Sequence, residues 1–373
     1  MFQKRFGNKG AIAICFFVNH EITEPMGKLI KILGVSVAAI VMAASVQAQI
    51  IQFSQTYATP TFLGPSFAGL TQMGRVTLNY RNQWPNISSP SEYQTYAFSA
   101  DVYLHKIGSG LGISLLRDVA GPGDLGSTIG AIQYTKSIRM GNLYVRPGAE
   151  FNYTQRSFNP ANVTWIDQVR IEGENWTESD IPQTFTANKR QYLDATASGL
   201  LYNEKFWIGL TADNLLRPNQ TLLSTIDNEA YIDRKFMFYG GYKIRTSTKK
   251  RRTKNPEDVT ITFLYQMQGS SDQLNIGAYY NRYPLVAGVW LRGIPIVETT
   301  NIKGSATDNF DAVIWLIGYK MGSVSLGYSY DMSINDLIGK SGGASELSLI
   351  YSFDPNIKGN KKKRKGMIPC PGF

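Results

Sequence analysis

About fourteen segments of strand length, each with alternating or glycine-interrupted apolar residues, follow one another between residues 75 and 353. Residues 258–268 show the pattern, because apolar side chains at every second position are separated by Thr260, Thr262 and Gln266. Successive side chains of a strand point to opposite faces, so each segment has one apolar and one polar face. The predicted strands are Arg75–Arg81, Tyr93–Leu104, Gly110–Asp118, Ser127–Ile138, Leu143–Ser157, Tyr192–Tyr202, Phe206–Leu215, Lys235–Arg245, Asp258–Gln268, Gln273–Tyr280, Leu285–Gly293, Ala312–Met321, Val324–Tyr330 and Ser345–Phe353.

The connections between these segments alternate in length. Counted along the chain, the even-numbered connections are mostly short and the odd-numbered ones mostly longer, including Phe158–Gln191, Arg217–Arg234, Ile294–Asp311 and Asp331–Ala344. Outer-membrane barrels combine short periplasmic turns with long extracellular loops, and an even strand number places both termini in the periplasm. The pattern therefore predicts an all-β protein, a single antiparallel transmembrane β-barrel over residues 75–353, in the bacterial outer membrane with both termini periplasmic.

The aromatic content supports a membrane barrel. Tyr and Phe number 21 and 18 in 373 residues, more than a compact core needs, and the excess fits the aromatic girdles at the lipid interfaces. An ordinary soluble β protein is the alternative.

The N-terminal region resembles an export signal. Lys28 and Lys31 form a basic start, Leu29 to Val46 an apolar core, and Val46-Gln47-Ala48 a small-x-small cleavage site. Residues 26–48 are therefore predicted to be a signal peptide, with a single membrane anchor as the alternative. Residues 1–25 are predicted to be upstream sequence from an over-called start codon.

A segment rich in aromatic and apolar residues leads into the first strand. Pro60, Gly64, Pro65 and Gly69 interrupt it, and these residues disfavour a long helix or a regular strand. Such a segment must pack against something else. Residues 49–74 are therefore predicted to be a plug-like or lid-like lead-in to the barrel.

Two basic runs account for much of the formal net charge of +10. They are Lys249, Lys250, Arg251, Arg252 and Lys254, in the unexpectedly long connection Thr246–Glu257, and Lys361, Lys362, Lys363, Arg364 and Lys365, in a basic periplasmic tail at 354–373. Both runs emerge on the predicted periplasmic side, where like charges repel unless an acidic surface lies nearby. We hypothesise a docking surface for an acidic periplasmic partner; two solvated segments are the alternative. An exported chain is not expected to bind nucleic acid.

Few residues suit catalysis. His105 is the only histidine after the signal peptide and Cys370 the only cysteine, so neither a histidine-rich metal site nor an internal disulfide is expected there. The glycines of Gly108-Ser109-Gly110-Leu111-Gly112 precede a strand rather than a helix, which favours close strand approach or a bare lumen patch over a phosphate loop. We predict no enzyme activity, no cofactor and no metal.

Several short motifs follow one another along the mature chain. They are Gln52-Phe53-Ser54-Gln55, Pro60 to Gly69, Tyr80 to Pro85, Ser99-Ala100-Asp101, Gly110-Leu111-Gly112 and Cys370-Pro371-Gly372-Phe373. In this order they resemble the PorP/SprF family of type IX secretion system outer-membrane proteins from Bacteroidota. Gly64 to Gly69 departs from the Asn-Pro and aromatic-Ala-Gly run that is more usual in the family.

The resemblance implies an outer-membrane component of the type IX secretion system that assists secretion or surface attachment of partner proteins with a type B C-terminal domain, including gliding adhesins. It also implies contact with the translocon or periplasmic ring components. The candidate partner-binding residues are the two basic runs and the residues Phe53, Tyr57, Phe62, Leu63, Phe67, Trp84, Trp165 and Trp176. For the last two tryptophans, an interfacial girdle or packing within a loop is the alternative.

A passive channel for small or hydrophobic solutes is the competing function, because barrels of this strand number can hold a lumen. Many predicted inward positions are small or polar and leave space that a plug, loops or water must fill, namely Gly130, Gly209, Thr211, Ser325, Gly327 and Ser329. A lumen filled by residues 49–71 would disfavour a solute pore.

Overall fold

The computed structural model describes residues 52–86, 93–121, 123, 125–159, 163, 189–222, 230–246, 257–269, 271–294, 311–334 and 338–354. Strands dominate these residues. Their bounds are β1 Gly74–Gln83, β2 Tyr93–Leu104, β3 Ser109–Ala120, β4 Leu125–Lys136, β5 Ile138–Met140, β6 Leu143–Ser157, β7 Lys189–Tyr202, β8 Phe206–Asp213, β9 Lys235–Arg245, β10 Asp258–Gln268, β11 Ser271–Arg282, β12 Leu285–Ile294, β13 Ala312–Met321, β14 Val324–Ser333 and β15 Ala344–Phe353.

The strands form one closed antiparallel barrel. Consecutive strands pair in chain order, β1 pairs with β15, and β4 pairs with β6, which closes a ring of 14 strands with the short β5 as an extra strand beside β6. The predicted barrel of about 14 strands is confirmed. Five predicted segments have the observed bounds: Tyr93–Leu104, Leu143–Ser157, Lys235–Arg245, Asp258–Gln268 and Ala312–Met321.

The two faces of the wall differ as the alternation predicts. In β15, Leu347, Leu349 and Tyr351 point outward and are exposed, whereas Glu346 and Ser348 point into the lumen and are buried. Apolar surface left in water costs about 25 cal/mol per Å², so an apolar outer face of this extent is typical of a wall in contact with lipid. No helix in the described residues is long and apolar enough to cross a membrane.

The barrel has two distinguishable ends. Gly74, where β1 begins, is in register with Phe353 of β15 and Val102 of β2, so these residues lie at the same end as the tight β2–β3 turn. We call this the short-turn end. Gln83 and Ala344 mark the opposite, long-loop end. Most of the connection Thr246–Glu257, which carries the first basic run, lies outside the described residues, as do residues 355–373.

Candidate functional site

A segment inside the barrel, the lumenal strap, spans Gln52–Leu70 and runs from one end of the lumen to the other. Near the long-loop end, the side-chain amide of Gln52 donates to Gln273 Oε1 at 2.5 Å. Near the short-turn end, the backbone N–H of Gly69 donates to Asp101 Oδ2 at 2.8 Å. Both termini were expected at the short-turn end. Gln52, the first residue of the strap, lies toward the opposite end of the barrel from Phe353. Both ends of the chain lie outside the described residues, so their position stays a prediction.

Two short 3-10 turns, Pro60–Phe62 and Pro65–Phe67, shape the strap. In each turn proline occupies the first position, where its fixed φ suits the turn and its missing N–H is not needed. The turns close through Leu63 N–H to Pro60 O at 3.0 Å and Ala68 N–H to Pro65 O at 3.1 Å. The prolines that exclude a long helix thus fold the strap compactly.

Four buried charged side chains, which we call the latch, hold the N-terminal part of the strap. They are Arg81, Arg292, Asp331 and Glu346. Both arginines bind Asp331 Oδ2, at 2.9 and 2.7 Å, and Arg81 also lies 3.4 Å from Glu346 Oε2. Two positive and two negative charges therefore balance inside the barrel, as buried charges require.

The latch binds the strap through Ser54 and the next residue. The Ser54 hydroxyl donates to Asp331 at 2.7 Å and accepts from Arg81 at 2.5 Å and Arg292 at 2.9 Å. The backbone N–H groups of Ser54 and Gln55 donate to the two carboxylate oxygens of Glu346 at 2.6 and 3.1 Å. One carboxylate thus accepts hydrogen bonds from two consecutive main-chain N–H groups.

The long-loop end of the strap joins a further polar group. Gln273 accepts from Gln52 and donates to the carboxylate of Asp311 at 2.9 Å. Burial raises the pKa of the Asp311 carboxyl, while the Arg292 guanidinium and the Gln273 hydrogen bond oppose this shift.

An aromatic group, which we call the anchor, surrounds Tyr57 in the middle of the strap. The Tyr57 ring lies 5.7 Å from Trp207, 6.0 Å from Tyr279 and 6.0 Å from Trp290, stacked on the last. Its hydroxyl forms a hydrogen bond with Thr262 Oγ1. Each aromatic pair contributes about 0.5–1.5 kcal/mol beyond the area it buries. The lumen around Tyr57 is therefore a packed core, not a water channel.

The remainder of the strap is held mainly by its carbonyl groups. Arg146, itself buried, donates to Ser66 O at 3.0 Å and also to Ala68 O. Gln133 donates to Thr61 O at 3.1 Å, and the hydroxyl of Thr211 donates to Leu63 O at 2.7 Å. The groups that bind here sit on β4, β6 and β8.

Glycines in the wall make room for the strap. A Cβ atom at Gly110 would lie 1.9 Å from Ala68 O, and one at Gly148 would lie 2.5 Å from Ser66 N. Neither position tolerates a side chain while the strap is in place. Gly110 is therefore a site of close backbone approach, one of the two predicted roles for the glycines around it.

The structure divides the predicted site residues into three groups. Phe53, Tyr57, Leu63 and Phe67 are buried in the lumen, and Phe62 is half-buried with its ring 5.2 Å from that of Phe53. Trp84 lies outside the strap at the long-loop end, 5.4 Å from the Tyr93 ring. Trp165, Trp176 and the two basic runs lie outside the described residues. Their role in partner binding stays a prediction.

The charged members of the lumen were not predicted as site residues. The sequence signal that could have identified them is a charged residue at an inward position of a strand, as at Glu346. Burying such a charge is unfavourable unless it has a partner of opposite charge. Arg81 and Asp101 also stood within the motifs that carry the family resemblance.

Most of the predicted small inward positions do face the lumen, including Thr211, Ser325 and Ser329, which are buried. Gly130 does not. It is in register with Leu115 and Tyr153, which are exposed, whereas its neighbour Ala131 is buried. Because glycine has no side chain, the alternation of polar and apolar residues does not show which face of the strand it lies on. The predicted inward position of Gly130 is therefore wrong.

Among the described residues, no group of three or more histidine, cysteine, aspartate and glutamate side chains could hold a metal ion. The carboxylates of the latch are committed to arginine and to backbone N–H groups.

A family model described as "Type IX secretion system membrane protein PorP/SprF" matches residues 45–351. The comparison with curated proteins found no match. Among solved structures, the chain is similar to the Acinetobacter baumannii outer membrane protein Omp33, with TM-score 0.39 and 7% identity, covering 76% of this chain and 99% of that one. It is also similar to CdiB from Acinetobacter baumannii, with TM-score 0.41, 7% identity and coverage of 76% and 60%. The TodX ΔS2S3 mutant monoaromatic hydrocarbon channel gives TM-score 0.39, 9% identity and coverage of 78% and 92%.

Proposed function

Because the chain belongs to the PorP/SprF family of type IX secretion system membrane proteins, we propose that it assists the secretion or surface attachment of partner proteins with a type B C-terminal domain, gliding adhesins among them. The protein is an outer-membrane β-barrel, and its role in the system is one of binding rather than catalysis. The observation that carries this proposal is a lumen occupied by the chain's own strap. While the strap fills the lumen, the ends and loops of the barrel are the surfaces open to partner proteins.

The proposed orientation places the long-loop end outside the cell and the short-turn end in the periplasm. The long connections then offer Trp165 and Trp176 to the exported partner, since tryptophan is enriched among the residues that dominate interfaces. Both basic runs, 249–254 and 361–365, would face the translocon or periplasmic ring components. Residues 49–74 act as the plug of the barrel.

Affinity purification of the tagged protein from native outer membranes tests the partners. We expect recovery of a large surface protein through its C-terminal domain, together with translocon or ring components. Replacing Trp165 and Trp176 by alanine is expected to reduce recovery of the surface protein. Recovery of the barrel alone, from membranes in which secretion is active, would contradict the proposal.

Charge neutralisation tests the periplasmic side. Lys361→Gln with Lys362→Gln is expected to reduce recovery of periplasmic components. Lys189→Gln with Arg190→Gln removes the same charge from exposed positions at the long-loop end, where β7 begins, and is the matched control. Equal losses from both pairs would indicate a general charge effect rather than docking.

The passive channel is the competing function, and its test is conductance in planar bilayers. A barrel filled by Gln52–Leu70 is expected to conduct poorly, and removal of these residues is expected to open it. High conductance of the intact protein, unchanged by the deletion, would favour the channel.

A further inference from the structure

The wall of the lumen binds the main chain of the strap along much of its length, in addition to the side-chain contacts of Ser54 and Tyr57. Four backbone N–H groups, of Ser54, Gln55, Ser66 and Gly69, donate to side chains of the wall. Four backbone carbonyls, of Thr61, Leu63, Ser66 and Ala68, accept from side chains of the wall. Main-chain contacts carry no information on side-chain identity, so these eight hydrogen bonds select a backbone path. Recognition of this kind supplies affinity in other peptide-binding proteins, while side-chain pockets supply specificity.

Two features restrict what can follow that path. All residues from Gln52 to Leu70 are uncharged, and the latch already balances its own charges. An added charge would therefore be buried without a partner, which is strongly unfavourable. The second feature is the anchor, which accepts one aromatic ring in the place of Tyr57.

The strap is joined to the barrel by a short connection. Thr71 is exposed, Gln72 and Met73 are half-buried, and β1 begins at Gly74. Every strap contact described above is non-covalent. The strap and the wall therefore relate to each other as a ligand and its site.

From these observations we infer that the lumen is a peptide-binding site for an uncharged segment with an aromatic anchor residue, and that the strap is its resident ligand. A segment of the same chemistry supplied by another chain takes the place of the strap when the strap is displaced. This inference does not depend on the secretion role, because the site is built from residues of this chain alone.

The test uses the full chain with a protease site inserted between Thr71 and Met73 and cut after folding in detergent. A fluorescent peptide of residues 52–70 is then added, and its binding is measured by anisotropy. We expect saturable binding and release of the cut strap. The Tyr57→Ala peptide is expected to bind about 30-fold or more weakly, as for a hot-spot residue. The Thr56→Ala peptide is the matched control, because the Thr56 hydroxyl has no hydrogen-bond partner among the described residues.

A second arm keeps the chain uncut. The wild-type protein is expected to exclude the peptide, whereas a Tyr57→Ala protein, with its own strap weakened, is expected to bind it. Gly148→Val in that variant is expected to abolish binding, because the added side chain occupies the space of Ser66. Gly199→Val is the control, since a Cβ at Gly199 meets nothing within 4 Å.

Two results would overturn the inference. One is the absence of peptide binding in both arms while circular dichroism shows the barrel intact. The other is equal binding of the wild-type peptide and a scrambled peptide of the same composition. Neither result bears on co-purification of the secretion partners, so failure here is distinguishable from failure of the proposed function.

Discussion

The latch and the anchor hold the same strap by opposite physical means. At the latch, Ser54 and Gln55 meet four charged side chains that are buried and mutually paired. At the anchor, Tyr57 meets three aromatic rings and one hydroxyl. Removing one partner from a buried charge group leaves a charge unpaired, while replacing the whole group by apolar residues can be neutral. The latch therefore fixes where the strap lies, and the anchor adds apolar and aromatic attraction around Tyr57.

The difference also bears on assembly. Apolar contacts at the anchor are non-directional and tolerate small shifts of the chain. The latch does not, because the Ser54 hydroxyl binds Asp331, Arg81 and Arg292 together. A shift of the strap by one residue would break all three bonds. The latch thus sets the register in which Tyr57 meets its rings.

The largest expected effect is at the latch. Asp331→Ala removes the carboxylate that both Arg81 and Arg292 bind, and we expect a loss of about 4–5 kcal/mol in the free energy of unfolding. Urea unfolding in detergent micelles, followed by tryptophan fluorescence, measures it.

The matched control is an exposed ion pair. Arg217 lies 3.5 Å from Asp233, with about half of each side chain exposed, so Arg217→Ala is expected to cost about 0–1 kcal/mol. Similar losses in both variants would mean that the latch is solvated and that the comparison with the anchor fails.

The anchor is expected to come next. Tyr57→Ala removes a buried aromatic ring and leaves a cavity among Trp207, Tyr279 and Trp290, at a cost of about 3 kcal/mol. The same unfolding experiment measures the change. A double variant with Asp331→Ala should lose less than the sum of the two, because a strap released at one point no longer makes the other contact. Strict additivity would show that the two regions act independently.

Much of the barrel could be predicted from the sequence, because each wall strand carries its own alternation. Lys235–Arg245 and Asp258–Gln268 were predicted with the observed bounds for this reason. The alternation does not predict which face a residue lies on when that residue has no side chain, as at Gly130. Prolines and glycines predicted that the strap is neither a long helix nor a regular strand, and this is confirmed by its two short turns.

The latch could not be predicted, because its members come from four strands that are distant in sequence. Arg81, Arg292, Asp331 and Glu346 lie on β1, β12, β14 and β15, and their pairing depends on barrel closure between β1 and β15. The partners of Tyr57 are likewise spread over β8, β11 and β12. The alternation along one strand identifies an inward-facing charged or aromatic residue. Only closure of the barrel brings such residues from different strands together.

Arg146 tests the part of the strap beyond the anchor. Arg146→Met keeps much of the side-chain bulk but leaves Ser66 O and Ala68 O without this donor, and we expect a loss of about 2 kcal/mol. Arg139→Met is the control, because Arg139 is exposed on the neighbouring β5. Limited proteolysis of the strap gives a second measure, and faster cleavage in the Arg146 variant alone is the expected outcome. Equal cleavage rates would indicate that these carbonyls find other donors.

The smallest expected effect separates the two properties of the anchor itself. Tyr57→Phe keeps the ring against Trp207, Tyr279 and Trp290 but removes the hydrogen bond to Thr262, whose hydroxyl can still donate to Gly240 O at 2.8 Å. Because Thr262 keeps a partner, the expected loss is about 0.5–1.5 kcal/mol, the net value of one hydrogen bond. Tyr265 lies in the same strand as Thr262, and its hydroxyl forms a longer hydrogen bond, 3.3 Å, with Asp272. Tyr265→Phe should therefore change stability less than Tyr57→Phe. A Tyr57→Phe loss as large as that of Tyr57→Ala would mean that the hydroxyl, not the ring, holds the strap, and the anchor would then resemble the latch.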